Sequence, residues 1–253
     1  MDHAAAAGTE SNPLAALILD VEVRSKSFGA GAARRLVLDQ LAFTLAEREI
    51  VALVGPSGCG KTTLLKIVGG LDKEFDGHLR WRAGDSPKIG MIFQEPRLLP
   101  WRTVRENLLL VAPAERAGVA DELLRTLGLW PFRDAYPQRI SLGMARRAAI
   151  ARAFAITPDL LLMDEPFVSL DPDMAERGRE VLLEAWRRRP TSALLVTHDP
   201  MDAAALADRV LMLSASPGRI VDEVAIEPRL RRSGAETSMR VATQLRAARA
   251  ATA

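Results

Sequence analysis

Gly55-Pro56-Ser57-Gly58-Cys59-Gly60-Lys61-Thr62 fits the pattern G-x-x-x-x-G-K-[ST], a loop that cradles phosphate groups. Upstream, Ile50 to Val54 is a short apolar, β-branched run that reads as a buried strand. Downstream, Thr62 to Val68 reads as a helix, stopped by Gly69 and Gly70. The loop therefore has the strand–turn–helix setting that such a site requires. Gly55, Gly58 and Gly60 carry no Cβ, so the backbone can turn tightly and approach an anion. Loop amides from Gly55 through Thr63, including those of Ser57 and Cys59, and the helix N-terminus aim partial positive charge at phosphates. Pro56 completes the loop without an amide proton. Lys61 adds a full charge near the β- and γ-phosphates, and Thr62 offers a hydroxyl to Mg²⁺.

The rest of the chain sets limits. Its 253 residues suffice for one or two domains with a full core. A formal net charge of +2 gives no strong global pull toward nucleic acid. Cys59 is the sole cysteine, so no disulfide can form within the chain, which suits a reducing compartment. It reads as a small residue that fits the loop in preference to a reactive thiol. No apolar run approaches the roughly 18 residues of a membrane span. Asp2 and Glu10 stand where a secretory signal would be basic. Any membrane role would go through a partner.

Along the chain, residues 1–17 read as a disordered lead-in. Leu17 to Phe28 and Leu36 to Leu45 read as an antiparallel hairpin, and Gly77 to Trp81 and Ile89 to Phe93 as further strands. Residues from about 96 to 154 turn all-helical. Thr103 followed by Glu106 is a capping box, a second helix runs from Asp121 and stops near Gly128, and Ser141 caps a third that reaches Phe154. Strands then return at Leu160 to Met163 and Ala193 to Thr197, with helices at Asp173 to Arg189 and Pro200 to Ala207. Val210 to Leu213 and Ile220 to Ala225 form a closing hairpin. Strands alternating with helices imply an α/β fold with a mostly parallel sheet. Residues 226–253 are a basic, alanine-rich tail that reads as a solvated helix, with a membrane- or RNA-facing helix as the alternative.

Chemistry gathers at strand ends. The first central strand leads into the phosphate loop, Ile89 to Phe93 into Gln94, Leu160 to Met163 into Asp164 and Glu165, and Ala193 to Thr197 into His198. In an open parallel sheet the carboxyl ends share one edge, where ligands bind. These points, distant in sequence, are thereby expected to converge. Asp164 and Gln94 can serve Mg²⁺ beside Thr62, Gln94 can alternatively reach the attacking water, Glu165 can polarise that water, and His198 can orient it or the γ-phosphate as a neutral imidazole.

With these residues in place, the chain resembles the ATP-binding cassette ATPases of importers over about residues 18–225. Residues 55–62 are similar to that family's Walker A loop, Gln94 to its Q-loop glutamine, Leu160 to Glu165 to Walker B with the catalytic glutamate, Leu170-Asp171 to the D-loop, and His198 to the switch histidine. Phe28 lies where the family stacks an aromatic ring on adenine. Ile140-Ser141-Leu142-Gly143-Met144 stands at the signature, with Ser141 and Gly143 matching and Leu142 and Met144 departing from it. The departure at Leu142 raises a conformational question, because leucine does not take positive φ cheaply. Arg48 replaces a usual turn glycine, and Val168-Ser169 alters the approach to the D-loop.

The resemblance implies a P-loop, RecA-like core with an N-terminal antiparallel β subdomain and an inserted helical subdomain. It implies ATP and Mg²⁺ as ligands. A second cassette subunit would pair head to tail, a homodimer being expected, so that Ser141 and Gly143 act across the dimer. It also implies a membrane permease, indirectly a periplasmic or lipoprotein solute-binding protein, and a place at the cytoplasmic face of the bacterial inner membrane. Leu98-Leu99-Pro100-Trp101-Arg102-Thr103-Val104 is similar to the group that imports nitrate, sulfonates and taurine, and Leu99 to Arg102 are expected to face the permease. Two rivals stay open: a soluble cassette protein acting on ribosomes or DNA, and a nucleotide-dependent regulator with an impaired signature.

Overall fold

A computed structural model describes residues 17–82, 87–113, 115, 117–226 and 242–243. The readings for residues 1–16 and for almost all of the basic tail fall outside these residues.

The amino-terminal hairpin forms as expected. Strand β1 (Leu17–Phe28) pairs antiparallel with β2 (Arg35–Ala46). It pairs on its other side with β4 (Asp76–Trp81), giving a three-stranded sheet of order β2-β1-β4. Leu19, Val21 and Val23 alternate into the core, as period-two patterning requires. The phase then slips by one residue, so that Lys26 faces inward in place of Ser25.

The main sheet contains β3 (Ile50–Val54), β5 (Ile89–Ile92), β6 (Leu160–Asp164), β7 (Ser192–Thr197), β8 (Arg209–Leu213) and β9 (Ile220–Ala225). Its order is β5-β6-β7-β3-β8-β9. All neighbours run parallel except β9, which closes the sheet as the expected antiparallel hairpin with β8. Every residue of β3 and β7 is buried, because both faces of the sheet are covered.

Alternation along these strands sorts the core into two layers. Val51, Leu53, Leu160, Leu162, Leu194 and Val196 pack with the antiparallel sheet and with α1 (Lys61–Val68). Ile50, Ala52, Leu161, Met163, Ala193 and Leu195 pack with the helices of the opposite face. Each such leucine or valine contributes roughly 1.5–3 kcal/mol on burial.

Helices α2 (Val104–Leu109), α3 (Ala117–Thr126) and α4 (Leu142–Ala155) form the expected helical segment. The capping box is present: the Thr103 Oγ1 accepts from the Glu106 amide at 3.2 Å, and the Thr103 amide donates to Glu106 Oε2 at 2.7 Å. Its interior is continuous with the main core. Ala148, Ile150, Ala151, Ala153 and Phe154 of α4 share one apolar cluster with β6 and β7. The backbone of α4 also comes so close to β5 that a Cβ on Gly90 would lie 2.5 Å from the Ala153 carbonyl oxygen. Helices α5 (Pro172–Arg188) and α6 (Pro200–Leu206) complete this layer. Both begin on an aspartate cap, Asp171 and Asp199, whose side chains accept from the Met174 and Met201 amides.

Candidate active site

The phosphate loop leaves β3 and enters α1 through Gly60, whose φ of 101° is in the left-handed region. A Cβ there would also lie 2.5 Å from Leu38, so the position excludes other residues on two grounds. Gly58 is left-handed too, with nothing near its missing Cβ, which leaves that side of the loop open. Lys61 is almost fully buried and donates to the Gly55 and Pro56 carbonyls at 2.9 and 3.0 Å. The loop thus holds its own ammonium against its backbone. Cys59 is buried beside that ammonium, with Sγ 4.0 Å from the Lys61 nitrogen, in keeping with the reading of a small residue that fits.

Strand β6 brings the carboxylates to the loop. Thr62 Oγ1 donates to Asp164 Oδ1 at 3.2 Å, across 102 residues of sequence. Burial pushes the Asp164 carboxyl above its ordinary value, and neighbouring Glu165 adds to this, while the Thr62 hydrogen bond and the Lys61 charge oppose it. Among the described residues no cluster of three or more His, Cys, Asp or Glu could hold a metal ion alone. A hydroxyl and one carboxylate do fit Mg²⁺, which binds through one or two protein oxygens and takes the remainder from phosphate and water.

Glu165 follows directly, with φ 47°, an unusual value for a glutamate. Its amide donates to the Val196 carbonyl at 2.9 Å, which holds this turn against β7. At the end of β7, His198 Nδ1 lies 2.9 Å from Glu165 Oε2. Below them, Thr197 Oγ1 donates to Asp202 Oδ2 and Arg179 Nη1 to Asp202 Oδ1, at 3.1 and 2.8 Å. A buried ion pair thus supports the strand end that carries His198.

The structure therefore brings Lys61, Thr62, Asp164, Glu165 and His198 to one sheet edge. Gln94, just past β5, is exposed on the same edge of the sheet. The segment after it is anchored by Arg152 of α4, which donates to the Arg97 and Pro96 carbonyls at 2.7 and 3.0 Å. Phe28 lines a cleft of about 470 Å³ together with Ser57, Gly58, Gly60, Lys61, Thr62, Thr63 and Glu165. Arg35 and Val37 of β2 line the same cleft, and sequence reading missed both. The hairpin register, which pairs Phe28 with Arg35, is the signal that could have found them.

Ser141 and Gly143 are not in this cleft. They open α4 and line a separate cavity with Phe167, Leu170 and Met174. The Ser141 side chain caps the helix by accepting from the Met144 amide at 3.2 Å. Leu142 is the first residue of α4 and is not in the left-handed region, so the conformational difficulty expected there does not arise. Arg48 and Ser169, by contrast, do adopt left-handed backbone, with φ of 61° and 60°. At Arg48 the amide is satisfied by the Ser192 hydroxyl at 2.8 Å.

A glycine-rich loop at a helix N-terminus, with a Thr–Asp pair and a Glu–His pair on one parallel-sheet edge, defines a P-loop nucleoside triphosphatase. A family model described as "ABC transporter" matches residues 38–168. The chain is 43% identical over 224 residues to an aliphatic sulfonates import ATP-binding protein, SsuB 2, of Burkholderia cenocepacia, covering 85% of this chain and 82% of that one. It is 40% identical over 212 residues to the corresponding SsuB protein of Bacillus subtilis, covering 81% and 83%. Among solved structures it is similar to the ATP-binding cassette MJ0796 in a dimeric, post-hydrolysis state bound to ADP and Pi. The TM-score is 0.68 at 28% identity, over 83% of this chain and 99% of that one. This chain belongs to the ABC transporter family and is an ABC ATPase of its importer group.

Proposed function

We propose that the chain is the nucleotide-binding subunit that hydrolyses ATP to energise a membrane importer of aliphatic sulfonates or a kindred small solute such as taurine or nitrate. The observation that carries this is the pairing of Thr62 with Asp164 and of Glu165 with His198 on one edge, in a chain 43% identical to a sulfonate-import subunit.

The loop from Gly55 to Thr63 binds the phosphates, and Phe28 stacks on the base. Thr62, Asp164 and Gln94 would hold Mg²⁺, which would supply neutralisation of charge on the transferred phosphoryl group. Glu165 accepts the proton of the attacking water. His198, with its proton on Nδ1, donates to Glu165 and fixes the direction of that carboxylate. A second copy supplies Ser141 and Gly143 to the phosphates bound by the first; the likeness to a cassette solved as a dimer with ADP and Pi supports such a pairing. The cassette is assigned to residues 18–225, with a helical lobe over about 96–154.

No helix among the described residues is long and apolar enough to cross a membrane. Attachment to the cytoplasmic face of the bacterial inner membrane is assigned to a permease, which in turn receives solute from a binding protein. Trp101, 68% exposed, supports Leu99 to Arg102 as the permease contact. Among the described residues no observation favours action on ribosomes or DNA.

Glu165→Gln tests the reading. The variant is expected to bind ATP normally and to release phosphate at least about 100-fold more slowly than the parent chain. Turnover like that of the parent would overturn the assignment.

A further inference from the structure

Lys26 is among the largest fully buried side chains, with 2% of its surface exposed. An ammonium is costly to bury without partners. Lys26 has them: it donates to Asp72 Oδ1 at 2.7 Å and to the Glu74 carbonyl at 2.6 Å. Its nitrogen also lies 4.7 Å from the centroid of the Phe28 ring, two residues along the same strand. It reaches this place through the phase slip in β1, because strict alternation would have turned Ser25 inward.

These contacts connect two ends of the nucleotide cleft. Phe28 belongs to the antiparallel sheet. Asp72 follows α1, and its amide donates to the Lys66 carbonyl of that helix at 3.1 Å. The other end of α1 is the phosphate loop. Lys26 therefore joins the strand carrying the aromatic ring to the helix that carries the phosphates. A ring held by a cation on one face has less freedom left to lose when a base stacks on the other.

We propose that Lys26 is a positioning residue for the nucleotide base: its ammonium fixes the Phe28 ring over the cleft, and its Asp72 bridge sets the distance from that ring to the phosphate loop. This rests on the assignment of Phe28 as the base platform. The bland alternative is an ion pair that merely staples the sheet to α1.

The two are separated by titrating the full-length chain with ADP and with pyrophosphate, which has no base. Phe28→Ala and Lys26→Met are each expected to weaken ADP about fivefold to tenfold, while pyrophosphate stays within about twofold. In the Phe28→Ala background, Lys26→Met is expected to cause no further loss of ADP affinity. Lys26→Arg, which keeps the charge, is expected to recover most of the loss. Should Lys26→Met not fold, Asp72→Asn loosens the lysine without removing it, and the same selective loss of ADP affinity is expected at about twofold to threefold.

If Lys26→Met, or Asp72→Asn in its place, leaves ADP affinity intact, or weakens ADP and pyrophosphate equally, Lys26 is a staple and the proposal fails. If Phe28→Ala leaves ADP affinity intact, the base platform itself fails and the proposal with it. These outcomes differ, so the two failures can be told apart.

Discussion

The sheet edge and the opening of α4 make an instructive contrast. At the sheet edge, polar groups from the start of α1 and from the ends of β6 and β7 already meet within one chain, at 3.2 Å for Thr62 and Asp164 and 2.9 Å for Glu165 and His198. At the start of α4, Ser141 caps its own helix and lines a separate cavity, and Leu142 beside it is 55% exposed. The first region is built to bind. Under the proposed function the second supplies half of a site, and it exposes an apolar residue beside it. Binding and turnover are accordingly expected to respond to different substitutions.

The largest effect sharpens this contrast directly. Lys61→Ala is expected to lower both ATP affinity and phosphate release, the latter by about 100- to 1,000-fold. Ser141→Arg is expected to lower phosphate release comparably while leaving the affinity of the single chain for ATP within about twofold. Equilibrium binding measured beside phosphate release checks both. Equal loss of ATP affinity in the two variants would erase the distinction.

Next come the supports of each region. Arg179→Met would leave Asp202 buried without its cation and is expected to cost about 3–5 kcal/mol of unfolding free energy. In the helical lobe, Asn107 is fully buried and accepts from the Leu99 amide at 2.7 Å. Its amide group also donates to the Leu99, Arg102 and Thr103 carbonyls. Asn107→Leu strips these partners and is expected to cost roughly 2–3 kcal/mol. It should also loosen the segment that carries Trp101, read out as faster proteolysis there than in Arg179→Met.

The smallest effect is a pH dependence. The Arg105 hydrogen bond at 2.7 Å holds the Asp121 carboxyl below its ordinary value. A carboxylate with a depressed folded-state pKa stabilises the protein above its unfolded pKa, and that contribution disappears as pH falls through the folded value. The pair is partly exposed, so Asp121→Asn is expected to cost less than about 1 kcal/mol at neutral pH. The difference from the parent should fade on acidification below about pH 4. A cost that persisted there would have another cause.

The sheet edge was legible because each of its residues follows an apolar run, and strand ends in a parallel sheet can only converge. The capping box at Thr103 was legible for a similar reason, since it is a local pattern with a local cause. What escaped depended on register or on partners far along the chain. Arg35 and Val37 enter the cleft only through the pairing of β1 with β2. Lys26 turns inward only through the phase slip, which the alternation of Leu19, Val21 and Val23 does not announce. Asn107 reads as one polar residue on a helix, and its ring of backbone partners appears only when Leu99 to Thr103 folds over it. Leu142 was misleading in the opposite sense, because its anticipated strain came from a glycine in a resembling motif and not from the backbone this helix adopts.

Under the proposed function, one chain holds the binding edge and half of a catalytic site. The most direct measurement is the molar mass of the Glu165→Gln chain by light scattering, with and without Mg-ATP. A single-chain mass is expected without nucleotide, a doubled mass with it, and no doubling once Ser141→Arg is added. A single-chain mass at saturating ATP, in a variant shown to bind it, would rule out a site completed by a second copy.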